Sequence, residues 1–157
     1  MRGLDQQSLL GRRALLAGAA AGLAWPVLRV RPVAATPASA KAAMDEILKG
    51  REPTPGRVKL DIPVLADNGN SVPMSVRVAS PMTASDRVRS IHVFADGNPL
   101  PVVGHFHLGP RAAKAEIATR IRLATTQTVV ALAVMADRSV WSDALRVEIV
   151  LSACLDD

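Results

Sequence analysis

Two kinds of hydrophobic spacing follow one another along the chain, first that of a helix and then that of β-strands. In residues 41–50 the apolar side chains share one helical face and Gly50 provides a stop signal, which predicts a short helix. Beyond a linker rich in Pro and Gly at 51–56, apolar residues recur at every second position, as they do where side chains alternate between the faces of a sheet. The pattern predicts a β-rich domain that begins with one helix.

Turn residues divide the remaining chain into about seven alternating segments. These are 57–62, 72–78, 88–94, 102–108, 116–123, 128–135 and 145–151. Asn68-Gly69, after the first segment, is a typical hairpin signal. The segment 128–135 is apolar on both faces, so we expect it at the centre of a sheet, with burial against a protein partner as the alternative. The fold class predicted is all-β, an immunoglobulin-like β-sandwich of about seven strands with a short N-terminal helix.

Composition and charge exclude several classes of function. Apolar residues make up 49% of the chain, which is enough for a core, but aromatic residues make up only 3%, which argues against nucleic-acid binding by base stacking. The net charge of +5 arises largely in residues 1–40, because residues 41–157 contain 14 basic and 13 acidic side chains. No serine-hydrolase, phosphate-loop or zinc-protease motif occurs, so we predict that the protein is not an enzyme.

The first 40 residues follow the order of an export signal. Arg12 and Arg13 precede an apolar stretch rich in Ala and Gly at 14–24, which is too short to span a bilayer. Two stretches of small residues fit a cleavage site, 33–35 and 38–40. The paired arginines resemble a twin-arginine (Tat) signal. We therefore predict a signal peptide at 1–40, a periplasmic location and no membrane attachment after cleavage, with a basic amphipathic helix as the alternative.

The single cysteine lies beyond the last predicted strand. The domain is expected to span 41–151, which places Cys154 on a tail at 152–157. An unpaired cysteine in an exported protein indicates a reactive thiol or an intermolecular disulfide, and an incidental cysteine is the alternative. A thiol on a mobile tail could carry a covalently bound group between proteins.

The three histidines are the candidates for a metal site. His105 and His107 share one face of a predicted strand, and with His92 they could bind copper or zinc. Three methionines could add sulfur ligands, Met74, Met82 and Met135. Because no acidic residue accompanies the histidines and two of the methionines fit core positions, local hydrogen bonds or a partner surface are the simpler interpretation of the histidines.

Four stretches of the chain resemble the SoxY family, the sulfur-carrier subunits of the periplasmic thiosulfate-oxidising (Sox) complex. They are GRVKLDIP at 56–63, ADNGNSVPMSVRVASPMT at 66–83, VRSIHVFADGNPLPVVGHFHLGP at 88–110 and TRIRLATTQTVVALAVMADRSVW at 119–141. The resemblance covers about residues 42–154. It implies an immunoglobulin-like sandwich, a heterodimer with a SoxZ-like subunit, transient contacts with other Sox enzymes and no cofactor. It also implies that Cys154 is the attachment point for thiosulfate-derived sulfur.

The tail departs from the Gly-Gly-Cys-Gly-Gly ending of that family. Ser152 and Ala153 precede the cysteine, and Leu155 adds bulk after it. Asp156, Asp157 and a terminal carboxylate surround the thiol with negative charge, which disfavours the thiolate and repels thiosulfate. Two alternatives to a sulfur carrier therefore stay open. One is a degenerate SoxY paralogue with a structural or regulatory role, and the other is a periplasmic copper-binding sandwich.

Overall fold

The computed structural model describes residues 36–151, which form one helix and nine strands. The elements are α1 (Pro37–Leu48), β1 (Thr54–Pro55), β2 (Val58–Asp61), β3 (Leu65–Asn68), β4 (Val72–Val78), β5 (Val88–Ala95), β6 (Val102–His107), β7 (Glu116–Ile121), β8 (Gln127–Met135) and β9 (Val140–Leu151). The prediction of an all-β sandwich with a short N-terminal helix is confirmed. The strand count differs, because β1 and β3 form in segments that the sequence assigned to a linker and a turn. No helix in this part of the chain is long and apolar enough to cross a bilayer.

Helix α1 begins four residues before the predicted start. Thr36 is the N-cap, and its hydroxyl accepts the Ser39 N–H at 3.2 Å while the Ser39 hydroxyl lies 3.4 Å from the Thr36 N–H. Pro37 occupies the first turn, where its missing N–H costs no hydrogen bond. These capping interactions extend the helix into a segment that sequence reasoning assigned to the signal peptide.

The strands form two sheets that pack against each other. The larger sheet has the order β1-β9-β8-β5-β6, with β3 also paired to β9, and the smaller sheet has the order β2-β4-β7. β1 and β3 run parallel to β9, and the other pairs are antiparallel. Aliphatic side chains of both sheets fill the space between them, including Val72, Val76, Ile91, Leu123 and Val129. We call the side of the large sheet that faces this core its inner face.

The antiparallel pairing predicted for the segments 57–62 and 72–78 is confirmed, because β2 pairs with β4, but their connection is longer than a tight hairpin at Asn68-Gly69. A turn forms at this point, and the Asn68 side chain accepts the Asn70 N–H at 2.8 Å. The strand before the turn, however, pairs with β9, whereas the strand after it pairs with β2 and β7. The turn therefore connects the two sheets, because β3 finds its hydrogen-bond partner on the edge of β9 and not on β4.

Strand β8 lies between β5 and β9 and is covered on both faces by its own chain. Its inner side chains join the core between the sheets, and its outer side chains pack with Phe94 and Val140 beneath α1. The outer residues are Val130, Leu132 and Val134. The expectation of a central strand is therefore confirmed, and this strand needs no protein partner to bury its apolar faces. We call this helix-covered side the outer face of the large sheet.

Candidate functional site

The three histidines come together on the outer face of the large sheet. His92 on β5 lies opposite His105 on β6, and Ser90 lies opposite His107. The ring centroids are 4.5 Å apart for His92 and His105 and 6.3 Å apart for His92 and His107, with the rings close to perpendicular. The alternation of side chains along the two strands accounts for this cluster, because all four residues point to the same side of the sheet.

His92 is buried and neutral at physiological pH. Only 5% of its surface is exposed, and its Nε2 atom lies 2.8 Å from the Ser90 hydroxyl oxygen. Its Nδ1 atom is buried without a hydrogen-bond partner among the residues that the structure describes. Burial lowers the pKa of His92 to about 4, and the neighbouring His105 and His107 contribute in the same direction.

The geometry gives no support to the copper-binding alternative. Within residues 36–150, no group of three His, Cys, Asp or Glu side chains is placed to hold a metal ion. The methionines serve other purposes, since Met74 and Met135 are buried in the core and the Met82 sulfur accepts the Val88 N–H at 3.4 Å. The histidines therefore pack against one another without forming a recognisable metal site.

A cavity of about 490 Å³ lies beside His92, between the C-terminal end of α1 and the large sheet. Its lining residues are Glu46, Ile47, Lys49, Arg51, Arg89, His92, Val134 and Arg138. Four of them are basic and one is acidic. Sequence reasoning missed this site because the lining comes from three distant segments, none of which carries a motif. The signal that could have found it is the excess of basic residues just after the predicted helix, at Lys49 and Arg51.

Local backbone irregularities place three of the basic residues. Arg89 is the extra residue in a β-bulge, since Val88 pairs with Met135 and Ser90 with the adjacent Val134. Lys49, which caps α1, and Arg138, in the turn between β8 and β9, adopt left-handed backbone conformations with φ of 48° and 72°. The left-handed conformation is unfavourable for any residue with a Cβ atom, so these two positions are unusual for Lys and Arg.

Arg51 ties the end of α1 to the turn between β8 and β9. Its Nε donates to the Leu48 carbonyl at 2.7 Å and its Nη2 to the Ile47 carbonyl at 2.6 Å. Its Nη1 donates to the Arg138 carbonyl at 2.5 Å. The guanidinium thus satisfies carbonyl groups left open at the helix end and forms a fixed wall of the cavity.

The sulfur-attachment candidate Cys154 lies outside the described residues, together with Leu155, Asp156 and Asp157. The signal residues Arg12 and Arg13 also lie outside them. Strand β9 leads to the tail. Its residues 140–147 pair with β8 and its end pairs with β3, where Asn68 is opposite Leu151. The start of the tail and the cavity lie toward opposite ends of β9, about 36 Å apart at roughly 3.3 Å per residue.

Exposed aliphatic side chains surround the end of β9 from which the tail departs. Val64 and Leu65 are 65% and 55% exposed, and Val150 is 62% exposed. The Val64 carbonyl accepts the Glu148 N–H at 2.8 Å, which holds this edge of β3 against β9. The other large exposed aliphatic residues of the described structure are Leu100 and Val102, which lie elsewhere.

Similar solved structures define the class of fold. The sulfur carrier protein SoxY from Chlorobium limicola f thiosulfatophilum superposes with a TM-score of 0.56 at 22% identity, covering 71% of this chain and 95% of that chain. The superoxide reductase (neelaredoxin) from Ignicoccus hospitalis gives 0.53 at 16% identity, with 60% and 80% covered. The superoxide reductase from Nanoarchaeum equitans gives 0.51 at 9% identity, with 61% and 100% covered. At these identities the likeness shows a shared sandwich fold.

The family follows from the sequence match. The family model described as sulfur oxidation protein SoxY matches residues 44–154. The chain therefore belongs to the SoxY family, as the resemblance of its strand segments predicted. No curated protein sequence matches the chain.

Proposed function

We propose that this protein is a non-enzymatic sulfur carrier that binds thiosulfate-derived sulfur covalently at Cys154. The observation that carries the proposal is the extent of the family match, which ends at residue 154, the position of the single cysteine. The superposed SoxY from Chlorobium limicola f thiosulfatophilum is itself a sulfur carrier protein. A carrier needs one nucleophile that other proteins can reach, and it needs no catalytic residues of its own.

In the described structure, the strand that leads to the tail is held in a sheet. Strand β9 pairs with β8 over residues 140–147 and with β3 over residues 148–151, so the sheet holds the chain up to Leu151. Residues 152–157 reach about 20 Å when extended, at 3.3–3.6 Å per residue. That length is sufficient to place the Cys154 thiol in a shallow pocket of a partner enzyme while the sandwich stays outside.

Loading requires an oxidant from the partner enzymes. The Cys154 thiolate and the outer sulfur of thiosulfate form a new S–S bond, the thiol proton is lost to solvent, and two electrons must be removed. We therefore expect a redox enzyme of the Sox system to accept those electrons. The negative charge of Asp156 and Asp157 opposes the approach of thiosulfate, so loading is expected to be slower than on a glycine-flanked cysteine.

Intact mass measured after incubation with thiosulfate and the Sox enzymes tests this proposal. We expect the wild-type protein to gain one S₂O₃ group and Cys154→Ser to gain none while keeping its fold. A triple variant with glycine at Leu155, Asp156 and Asp157 should load faster. If the triple variant loads and the wild type does not, the protein is a degenerate paralogue with a structural or regulatory role.

We further propose a heterodimer with a SoxZ-like subunit, with the exposed patch of Val64, Leu65 and Val150 as its contact. This patch adjoins the root of the tail, and β3 has an edge without a strand partner in the described structure. Leu65→Asp should weaken co-elution with the SoxZ-like protein in size-exclusion chromatography. Leu100→Asp is the matched control, because Leu100 is 77% exposed and lies on the loop between β5 and β6. Equal effects of both variants would count against this contact.

We also propose Tat export to the periplasm with cleavage after Ala35. Cleavage there leaves Thr36 and the capping interactions of α1 intact, whereas cleavage after Ala40 removes the first turn and the buried Ala40. N-terminal sequencing of the secreted protein distinguishes the two sites. Replacing Arg12 and Arg13 together with lysine should leave the precursor in the cytoplasm, and normal export of that variant would contradict the Tat assignment.

A further inference from the structure

The cavity at the end of α1 holds an excess of positive charge, with four basic lining residues and one acidic residue. Within residues 36–150 the ion pairs are Lys41–Asp45, Arg57–Asp86 and Arg77–Glu116, and none of them involves the cavity. Lys49, Arg89 and Arg138 therefore form no ion pair among these residues, and Glu46 is the one acidic lining residue. Charges of one sign that line a concave surface attract ligands of the opposite sign.

Arg51 prevents the helix end from cancelling this charge. The C-terminal end of a helix carries partial negative charge on its open carbonyl groups. Here the Arg51 guanidinium occupies the carbonyls of Ile47 and Leu48 and also binds that of Arg138. The side chains of Lys49, Arg89 and Arg138 make no side-chain hydrogen bond within the described residues, so they stay available to a ligand.

His92 is one of the residues that line the same cavity. When the Ser90 hydroxyl donates to Nε2, the neutral ring carries its proton on Nδ1, which is the atom without a partner. That atom is buried, so the accessible donors of the cavity are the side chains of Lys49, Arg89 and Arg138. These donors suit a ligand that has both negative charge and accepting oxygens.

The lining and the topology decide which anion fits. Ile47 and Val134 are the aliphatic residues of the lining, and the four basic side chains outnumber them. The acidic tail of the same molecule is too far away, because β9 separates its root from the cavity by about 36 Å and residues 152–157 reach about 20 Å. We infer that the cavity binds a small inorganic oxyanion of the sulfate and thiosulfate class, partly hydrated, at a site separate from Cys154.

Titration calorimetry of the full-length protein with sodium sulfate and with sodium thiosulfate, at an ionic strength held constant with sodium chloride, tests this inference. We expect saturable binding of both anions, weakened at least fivefold by Arg89→Gln and by Lys49→Gln. Arg146→Gln is the matched control and should change affinity less than twofold. Arg146 is exposed and pairs with Thr128, about 20 Å along β8 from the cavity at roughly 3.3 Å per residue.

Two further measurements distinguish binding in this cavity from nonspecific ionic effects and from binding at the Cys154 thiol. The NMR signals of the His92 ring should shift on titration of the wild type, and Cys154→Ser should bind thiosulfate with unchanged affinity. Absence of saturation, or equal weakening by Arg89→Gln and Arg146→Gln, would overturn the inference. Loss of thiosulfate binding in Cys154→Ser would also overturn it, because binding would then belong to the tail.

Discussion

The two faces of the large sheet differ in what their side chains do, although the same strands build both. The inner face of β5 and β8 consists of aliphatic residues such as Ile91 and Val129, fully buried against the small sheet. The outer face begins as an apolar cluster beneath α1 and continues into His92, Arg89 and the basic cavity. One strand can therefore stabilise the fold through one set of side chains and present polar chemistry through the alternate set.

This division has a physical basis in how completely each face is covered. A second sheet covers the inner face of β5 and β8, so polar atoms there would lose their hydrogen bonds to water. A helix of 12 residues covers the outer face over part of its area, which leaves a partly enclosed space lined by polar groups. The incompletely covered face is thus where His92 keeps a buried ring nitrogen without a partner, whereas the buried Gln127 of β8 bonds to Gly97 and Asn98.

The largest expected loss of stability comes from a substitution on the inner face. Ile91→Ala removes a side chain with no exposed surface and should lower the free energy of unfolding by about 3 kcal/mol, because the core cannot close over the space. Val134→Ala on the outer face should cost about 1 kcal/mol, since Val134 borders the open cavity. Urea denaturation of both variants measures the difference, and similar losses would show that the two faces are equally packed.

A smaller effect concerns acid sensitivity, which we expect to arise on the outer face. The folded pKa of His92 is about 4 against 6.5 in the unfolded chain, so the unfolded state binds more protons between these values. Stability is therefore fully present above pH 6.5 and falls as the pH drops toward 4. From pH 7.5 to pH 5 the loss should be about 2 kcal/mol.

Urea denaturation at the two pH values checks this expectation with a double variant as the control. Ser90→Ala with His92→Leu removes the titrating ring and its hydroxyl partner together, which avoids leaving a buried hydroxyl without a hydrogen bond. We expect the double variant to lose much less stability than the wild type over the same range. An equal loss in both proteins would assign the acid sensitivity to other groups.

The smallest expected effect is confined to the helix that covers the outer face. Thr36→Ala removes the N-cap hydroxyl that accepts the Ser39 N–H and should cost about 1 kcal/mol. Amide hydrogen exchange should then accelerate in α1 and stay unchanged in β8. Faster exchange in β8 as well would mean that helix and sheet open together as one cooperative unit.

Much of the strand pattern and part of the site could be predicted from the sequence. The alternation at 72–78 and 88–94 corresponds to β4 and β5 within one residue, and the doubly apolar segment at 128–135 is the central strand β8. The same alternation put His105 and His107 on one face. These features are local, because side-chain direction along an extended chain depends on the period of two and little else.

Features that require distant segments to meet were decided by the tertiary structure. The residues 65–68 became a strand because the edge of β9 was available to them, and no local signal distinguishes that edge from β4. The low pKa of His92 arises from burial among side chains of neighbouring strands and cannot be read from its flanking residues.

The basic cavity is the clearest example of a feature that cannot be predicted from local sequence. Lys49, Arg89 and Arg138 are scattered in the sequence and look like ordinary solvent-exposed charges. A helix end, a β-bulge and a tight turn bring them to one place. The sequence by itself therefore determined the elements and the faces of this protein, because both follow from local periodicity. The cavity was decided only by the packing of α1 on the sheet, because it depends on which elements lie side by side.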